Sequence, residues 1–220
     1  MSLLSPLDKL KIPVVGSPLF IISNPDLVIA QCKAGIIGSF PCLNAREGEG
    51  EPNMLEIWLK KINEELDRYN QKNPDNPAAP YAVNHIVHKS NVRLEQDIDI
   101  CAKWKAPVWI TSLGARPEVN QVAHQANGIV LHDIINNFFA KKAIDKGADG
   151  LFAVSRDLIR ILKNKVPNID PKKFLEIPNG YDPNDFSSNG KLRSSQERCT
   201  LAPKLAVIFF LAIEASQMPS

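Results

Sequence analysis

Polar and small residues that could contact a ligand stand at the ends of four apolar runs in this sequence. They are Gly16–Phe20 (GSPLF), Asn84, Ser112 and the adjacent pair His132 and Asp133. If these runs are parallel strands of a βα fold, their carboxyl ends meet at one edge, which is where such folds bind ligands. Local roles stay open as well, because the GSPLF segment can simply turn the chain and the asparagine or the serine can cap a helix.

The histidines and cysteines predict no metal site. His85 and His88 are three residues apart, so on a strand they face opposite sides, and no third ligand is evident. The adjacent side chains of His132 and Asp133 also diverge on a strand, which argues against an acid–base pair. The four cysteines form no CxxC pair and have no metal-type spacing with a histidine, so we expect reduced thiols; they are Cys32, Cys42, Cys101 and Cys199.

Composition places the chain among ordinary globular proteins. Of 220 residues, 44% are hydrophobic and 23% charged, which excludes disordered and membrane-embedded classes. The net charge of +2 does not indicate the strongly basic surface that binds nucleic acid or anionic lipid. The beginning of the sequence lacks a signal-peptide pattern, and the apolar run Leu205–Ile213 is about half of a membrane span. We therefore expect a cytoplasmic protein without nucleic-acid or membrane partners; its oligomeric state is not predicted.

Short β-rich runs alternate with helical periodicity, which predicts βα units around a parallel sheet. The predicted strands are Ile12–Phe20, Ile36–Phe40, Tyr81–Val87, Val108–Gly114, Gly128–Ile134 and Gly150–Val154. The predicted helices begin after the caps Asn24 and Asn53, and continue over Ser90–Trp104, Pro117–Ala126 and Asn136–Lys146; Asn70–Pro80 is a predicted loop. Periodicity alone fits either a βα barrel or an open doubly wound sheet.

The βα alternation stops after Val154. Ser155–Lys165 has the pattern of a basic amphipathic helix, and Val166–Phe186 is a turn-rich run around one short strand. From Ser187 onward the sequence predicts no definite structure. Phosphate loops, GxGxxG after the first strand, GxSxG and HExxH are all absent from the sequence, so the common nucleotide-binding and hydrolase functions lose support.

Long segments of the chain resemble the nitronate monooxygenases, formerly called 2-nitropropane dioxygenases. The resemblance extends from about Lys9 to Ala153 and is carried by IPVVGSPLFIISNPDLVIAQCKAGIIGSFPCLNAR, AVNHIVHKSN, ITSLGA and VLHDIINNFFAKKAIDKGADGL. It implies a TIM-type barrel that holds FMN without a metal and oxidises alkyl nitronates with O2. The family's flavin contacts correspond here to Ser17, Pro18, Leu19, Phe20 and Asn84, and its strand-end positions facing the flavin to Ser112, His132 and Asp133.

The family pattern is interrupted after Val154. The family's glycine-rich loop with a GGH histidine and its later phosphate-binding glycines are missing, so the catalytic residue is unknown. Instead, VSRDLIRILKNKVPNIDPKKFLEIPNGYDPNDF resembles the start of the C-terminal domain of retaining glycosyltransferases. We therefore expect three parts: a partial FMN-binding barrel over 1–153, with about six of eight βα units; a glycosyltransferase-like fragment over 154–186; and an unassigned tail over 187–220.

Three functional hypotheses follow. The leading one is an FMN-dependent nitronate monooxygenase whose activity is impaired in this chain, since the histidine loop and the phosphate site are absent. The second is a nucleotide-sugar glycosyltransferase fragment, and the third is a non-enzymatic, truncated βα scaffold. Because the βα alternation and the family pattern both stop after Val154, we also expect the chain to be a fusion, a truncation or an assembly artefact.

Overall fold

The fold is a parallel sheet of six strands covered on one face by helices, seen in a computed structural model of the chain. The structure describes residues 7, 10, 14–46, 53–134, 137–153 and 174–176. The strands are β1 Gly38–Pro41, β2 Tyr81–Ile86, β3 Val108–Ser112, β4 Ile129–Asp133, β5 Gly150–Ala153 and β6 Phe174–Glu176. The helices are α1 Pro25–Ala34, α2 Met54–Lys72, α3 Leu94–Lys103, α4 Pro117–Gln125 and α5 Asn137–Asp145.

The strand order decides between the two architectures that periodicity left open. The strands neighbour one another in chain order, β1-β2-β3-β4-β5-β6, and every pair is parallel. A doubly wound sheet reverses its strand order at a switch point, whereas a βα barrel adds each strand beside the last. The described residues therefore form an incomplete βα barrel.

Of the predicted first strand, Ile12–Phe20, the structure describes residues 14–20, and one of these bridges to the sheet. Val15 forms an isolated parallel bridge with Ile37, supported by bonds from Gly16 N to Ile37 O (2.7 Å) and from Ile37 N to Val14 O (3.0 Å). The chain then leaves the sheet at Ser17, whose carbonyl accepts from Ser23 Oγ in the following loop. The other five predicted strands are confirmed, and β6 lies within the run predicted to hold one short strand.

Local capping signals account for the first two helices. Asn24 accepts a bond from Leu27 N (3.0 Å), and Gly35 ends α1 in the left-handed region at φ 93°. Asn53 accepts from Glu56 N (3.2 Å) and opens α2, whose buried face consists of Leu55, Leu59, Ile62 and Leu66.

The third helix begins later than predicted, at Leu94 instead of Ser90. The intervening loop bonds to itself and to β2 through side chains: Ser90 N donates to His88 Nδ1 (3.3 Å), and Asn91 Nδ2 donates to Ile86 O (2.9 Å). These side-chain bonds replace the backbone bonds of a first helical turn.

The two faces of the sheet pack against different groups. Val83, Trp109 and Val130 face the helices and join their apolar residues in the larger core. Ala82, Val108, Ile110 and Leu131 project to the opposite face, where the buried cluster includes Val15 and Ile37 and contains no residue of α1–α5. The second face is therefore the barrel interior. None of the helices in the described part of the chain has the length and apolar character that crossing a bilayer demands.

Candidate functional site

Asn84 and Ser112, predicted to meet at a ligand, lie together on the interior face. Asn84 Nδ2 donates to Ser112 Oγ at 2.9 Å and to Ile110 O at 3.2 Å. Both side chains are buried, at 3% and 8% exposure. The two donor hydrogens of the amide are thus used by the protein, and Asn84 Oδ1 has no hydrogen-bond partner among the described residues. This arrangement leaves an acceptor for a ligand N–H or O–H.

The segment after Val15 forms a compact loop that presents apolar side chains to solvent. Leu19 N donates to Ser23 Oγ (2.8 Å), which in turn donates to Ser17 O (3.2 Å). Phe20, Ile21 and Ile22 are 49%, 70% and 55% exposed. Ile21 is held at φ 67°, a conformation that costs a β-branched residue energy and that functional loops often contain.

Asn44, for which the sequence predicts no role, fixes this loop. Its Nδ2 donates to Leu19 O (2.8 Å) and Ser23 O (2.9 Å), and its Oδ1 accepts from Ile21 N (3.1 Å). Three bonds from one amide hold the loop against the turn Cys42–Asn44 that follows β1. A lone asparagine in a loop gives no sequence signal of this role, because its partners are backbone atoms more than twenty positions away.

A positive charge lies beside the same loop. The guanidinium of Arg46 sits 5.1 Å from the ring centroid of Phe20, within the range of a cation–π contact. Arg46 is exposed. The loop thus combines an accessible aromatic face with a cation that could attract an anion.

The remaining predicted residues divide between the two faces. Asp133 belongs to the face of Leu131, so it shares the interior side with Asn84 and Ser112. His132 projects to the helix side, where Thr111 Oγ1 lies 2.6 Å from its Nδ1. Burial, and to a smaller extent the charge of Lys142, lower the pKa of His132 to about 4, so the imidazole is neutral at pH 7. The structure does not bring His132 together with the other predicted site residues.

Ser17 and Pro18 form the buried start of the loop. Ser17 is buried at 7% exposure, and Pro18 is buried with it. The carbonyl of Gly16 accepts a hydrogen bond from Ser39 Oγ on β1, which anchors the start of the loop to the sheet. The predicted residues Ser17, Pro18, Leu19 and Phe20 therefore form one structural unit at the exit from the sheet.

On the helix side of the sheet, two cysteines and a histidine that are distant in the sequence lie close together. Cys42, His85 and Cys101 are all buried, and one ligand atom from each lies within 4.8 Å of the others. Burial raises the pKa of the Cys42 thiol well above its ordinary value. The expectation of no metal-type arrangement was based on spacing along the chain, and spacing cannot report a cluster built from a turn, a strand and a helix.

The predicted glycosyltransferase-like fragment over 154–186, apart from β6, and the tail over 187–220 lie outside the described residues. No protein-family model matches the chain, and no curated protein matches it. The division into three parts therefore stays a prediction.

Solved structures share the fold. The M276A mutant of FabK from Thermotoga maritima is 17% identical and superposes with a TM-score of 0.60, over 80% of this chain and 56% of that one. A nitroalkane oxidase from Streptomyces ansochromogenes is 16% identical, with a TM-score of 0.54 over 68% of this chain and 48% of that one. This chain spans about half the length of these proteins. At such identities the likeness establishes the TIM-type barrel fold.

Proposed function

We propose that this chain is the flavin-binding part of an oxidoreductase of the nitronate monooxygenase type. The cofactor would be FMN, and the reactants an alkyl nitronate and O2. The observation that carries the proposal is the pair Asn84 and Ser112 on the interior face, with one amide oxygen left as an acceptor. The sequence resemblance over about residues 9–153 supports it, as does the shared fold with a protein described as a nitroalkane oxidase.

The residues present fit the ring system of a flavin. A planar heteroaromatic ring needs an apolar surface and a few polar contacts at its edge. Phe20 supplies a half-exposed aromatic ring, and Asn84 Oδ1 supplies an acceptor for a ring N–H. Bound FMN would carry electrons from the nitronate to O2, which side chains cannot do.

The charge at the loop fits the substrate class. An alkyl nitronate is an anion, and the exposed guanidinium of Arg46 beside Phe20 would attract it toward the ring. Electrostatic attraction of this kind is screened by salt, so its contribution falls as ionic strength rises. The role of Arg46 is therefore to concentrate and orient the anion.

Turnover by this chain is expected to be negligible. In the resembling family the proposed catalytic group is the histidine of a GGH motif, and this sequence contains no histidine after His132. Oxygen consumption with an alkyl nitronate measures this directly. Robust consumption would contradict the expectation and require another residue to replace the histidine.

The binding proposal is tested by titrating the full chain into FMN and following the quenching of flavin fluorescence. We expect saturable quenching, weakened about tenfold in Asn84→Ala, because one hydrogen bond to the ring contributes about 1–1.5 kcal/mol. Asn63→Ala is the matched control: this asparagine also bonds a backbone carbonyl and a side chain, but it lies on α2. A folded chain that does not quench FMN would overturn the proposal and leave the non-enzymatic scaffold.

A further inference from the structure

A second cluster of chemically active side chains lies on the helix side of the sheet. Cys42 opens the turn after β1, His85 is on β2, and Cys101 is on α3. Their exposures are 1%, 1% and 0%. None of them contributes to the interior face where the flavin is proposed to bind, so this cluster is unused by the proposed function.

The distances within the cluster match those of a first-row metal site. Cys42 Sγ lies 3.5 Å from His85 Nδ1, and the ligand atoms of all three residues are within 4.8 Å of one another. A tetrahedral zinc ion with bonds of about 2.3 Å to sulfur and about 2.0 Å to nitrogen separates S from N by about 3.5 Å and S from S by about 3.8 Å. The Cys42–His85 distance already has this value, and the other distances need to close by no more than about 1.3 Å.

The surrounding contacts hold the three ligands in place. The His85 ring stacks on Trp109 with a centroid separation of 4.7 Å and an angle of 20°. Arg93, at the start of α3, pairs with the buried Asp97 at 3.0 Å and donates to Ala45 O at 2.9 Å. Because Ala45 adjoins the turn that carries Cys42, this arginine ties the cysteine-bearing turn to the cysteine-bearing helix.

The ligand set and its burial select the ion. Thiolate and imidazole ligands favour zinc over magnesium or calcium. A buried site is most stable when its charges cancel, and a dication bound by two thiolates and a neutral imidazole has no net charge. We propose that Cys42, His85 and Cys101 supply three ligands of a buried Zn²⁺ ion that links the turn after β1 to β2 and α3, and that a water molecule entering with the ion is the fourth ligand.

Binding is coupled to folding and to proton release. Zn²⁺ replaces the protons of both thiols, so two Zn–S bonds form as two S–H bonds break, and both protons go to solvent. Since all three side chains are buried in the folded chain, the metal and its water ligand must enter during folding. No change of oxidation state is involved.

The test is to refold the full chain with and without Zn²⁺, remove loosely bound metal by gel filtration, and measure bound zinc. We expect about one zinc per chain, and loss of it in Cys42→Ala and in Cys101→Ala. Cys32→Ala is the matched control, because this thiol is equally buried but lies on α1 outside the cluster. Cys199→Ser should also retain the metal.

Several results would overturn the proposal. They are a folded wild-type chain without zinc, zinc retained in Cys101→Ala, or zinc lost from Cys32→Ala or Cys199→Ser. If the alanine variants do not fold, refolding the wild-type chain with Co²⁺ decides the matter. Two thiolate ligands give an intense sulfur-to-cobalt absorption in the near ultraviolet, and its absence would rule the site out.

Discussion

The side-chain amide of Asn84 and the hydroxyl of Ser112 meet at 2.9 Å across the neighbouring strands β2 and β3, on the face that lines the barrel. Asn84 keeps a second bond, to Ile110 O, so the amide is held in one orientation with its oxygen available. The pair is the best-defined polar feature of the proposed flavin site.

The first prediction concerns this pair. Ser112→Ala removes one of the two bonds that orient the Asn84 amide, so we expect FMN to bind about three- to tenfold more weakly, for a loss of about 1 kcal/mol. The measurement is the fluorescence titration. Thr111→Val changes the adjacent residue, which points to the helix side, and its FMN affinity should equal that of the wild type. Equal losses in both variants would contradict a specific role of Ser112.

The second prediction concerns the loop that carries Phe20. Asn44→Ala removes three hydrogen bonds to this loop, so we expect faster amide exchange over 19–23 and weaker FMN binding. Asn73→Ala removes an asparagine bonded to the end of α2 and should leave both measurements unchanged. Unchanged exchange in Asn44→Ala would show that the loop is held by other contacts.

The third prediction compares two flavins. FMN and riboflavin differ only in the phosphate, and the glycine-rich segments that bind phosphate in the resembling family are missing from this sequence. We therefore expect the two Kd values to agree within about fivefold, whereas a built phosphate site would favour FMN by about a hundredfold through charged hydrogen bonds. A large preference for FMN would locate a phosphate site in this chain after all.

The fourth prediction concerns pH. The pKa of His132 is about 4 in the folded protein and 6.5 without burial, so the unfolded chain binds more protons between these values. The contribution of neutral His132 to the free energy of unfolding should therefore be fully present above pH 6.5. It should be lost as the pH drops toward 4, which lowers the free energy of unfolding by about 3 kcal/mol. Urea unfolding of the wild type and of His132→Asn measures it. Parallel pH profiles for the two would contradict the prediction.

The fifth prediction concerns the buried ion pair. Asp97 is 1% exposed and Arg93 24%, so Arg93→Met leaves a buried carboxylate without its cation and should cost about 3 kcal/mol of stability. The exposed pair of Arg116 and Glu95 provides the control, and Arg116→Met should cost less than about 1 kcal/mol. Both values come from urea unfolding. Similar costs would indicate that Arg93 acts only through its aliphatic stem.

Much of the architecture was predictable because its signals are local. The bounds of α1 follow from a capping asparagine and a terminal glycine, and both contacts are present in the structure. Runs of apolar residues predicted β1 to β5, since strands buried on both faces need such residues at every position. The predicted start of α3 was wrong, because hydrogen bonds of the His88 and Asn91 side chains hold a loop there that propensity does not reveal.

The alternating βα order and the position of Asn84 and Ser112 near strand ends were predictable from the sequence. The face that each side chain occupies became evident from the fold: Asn84 and Ser112 line the interior, while His132 and His85 face the helices. The fold also showed that Asn44 holds the loop and that Cys42, His85 and Cys101 converge. The physical reason is that side chains alternate along a strand, so a shift of one residue exchanges the faces, and register is set by packing between distant segments.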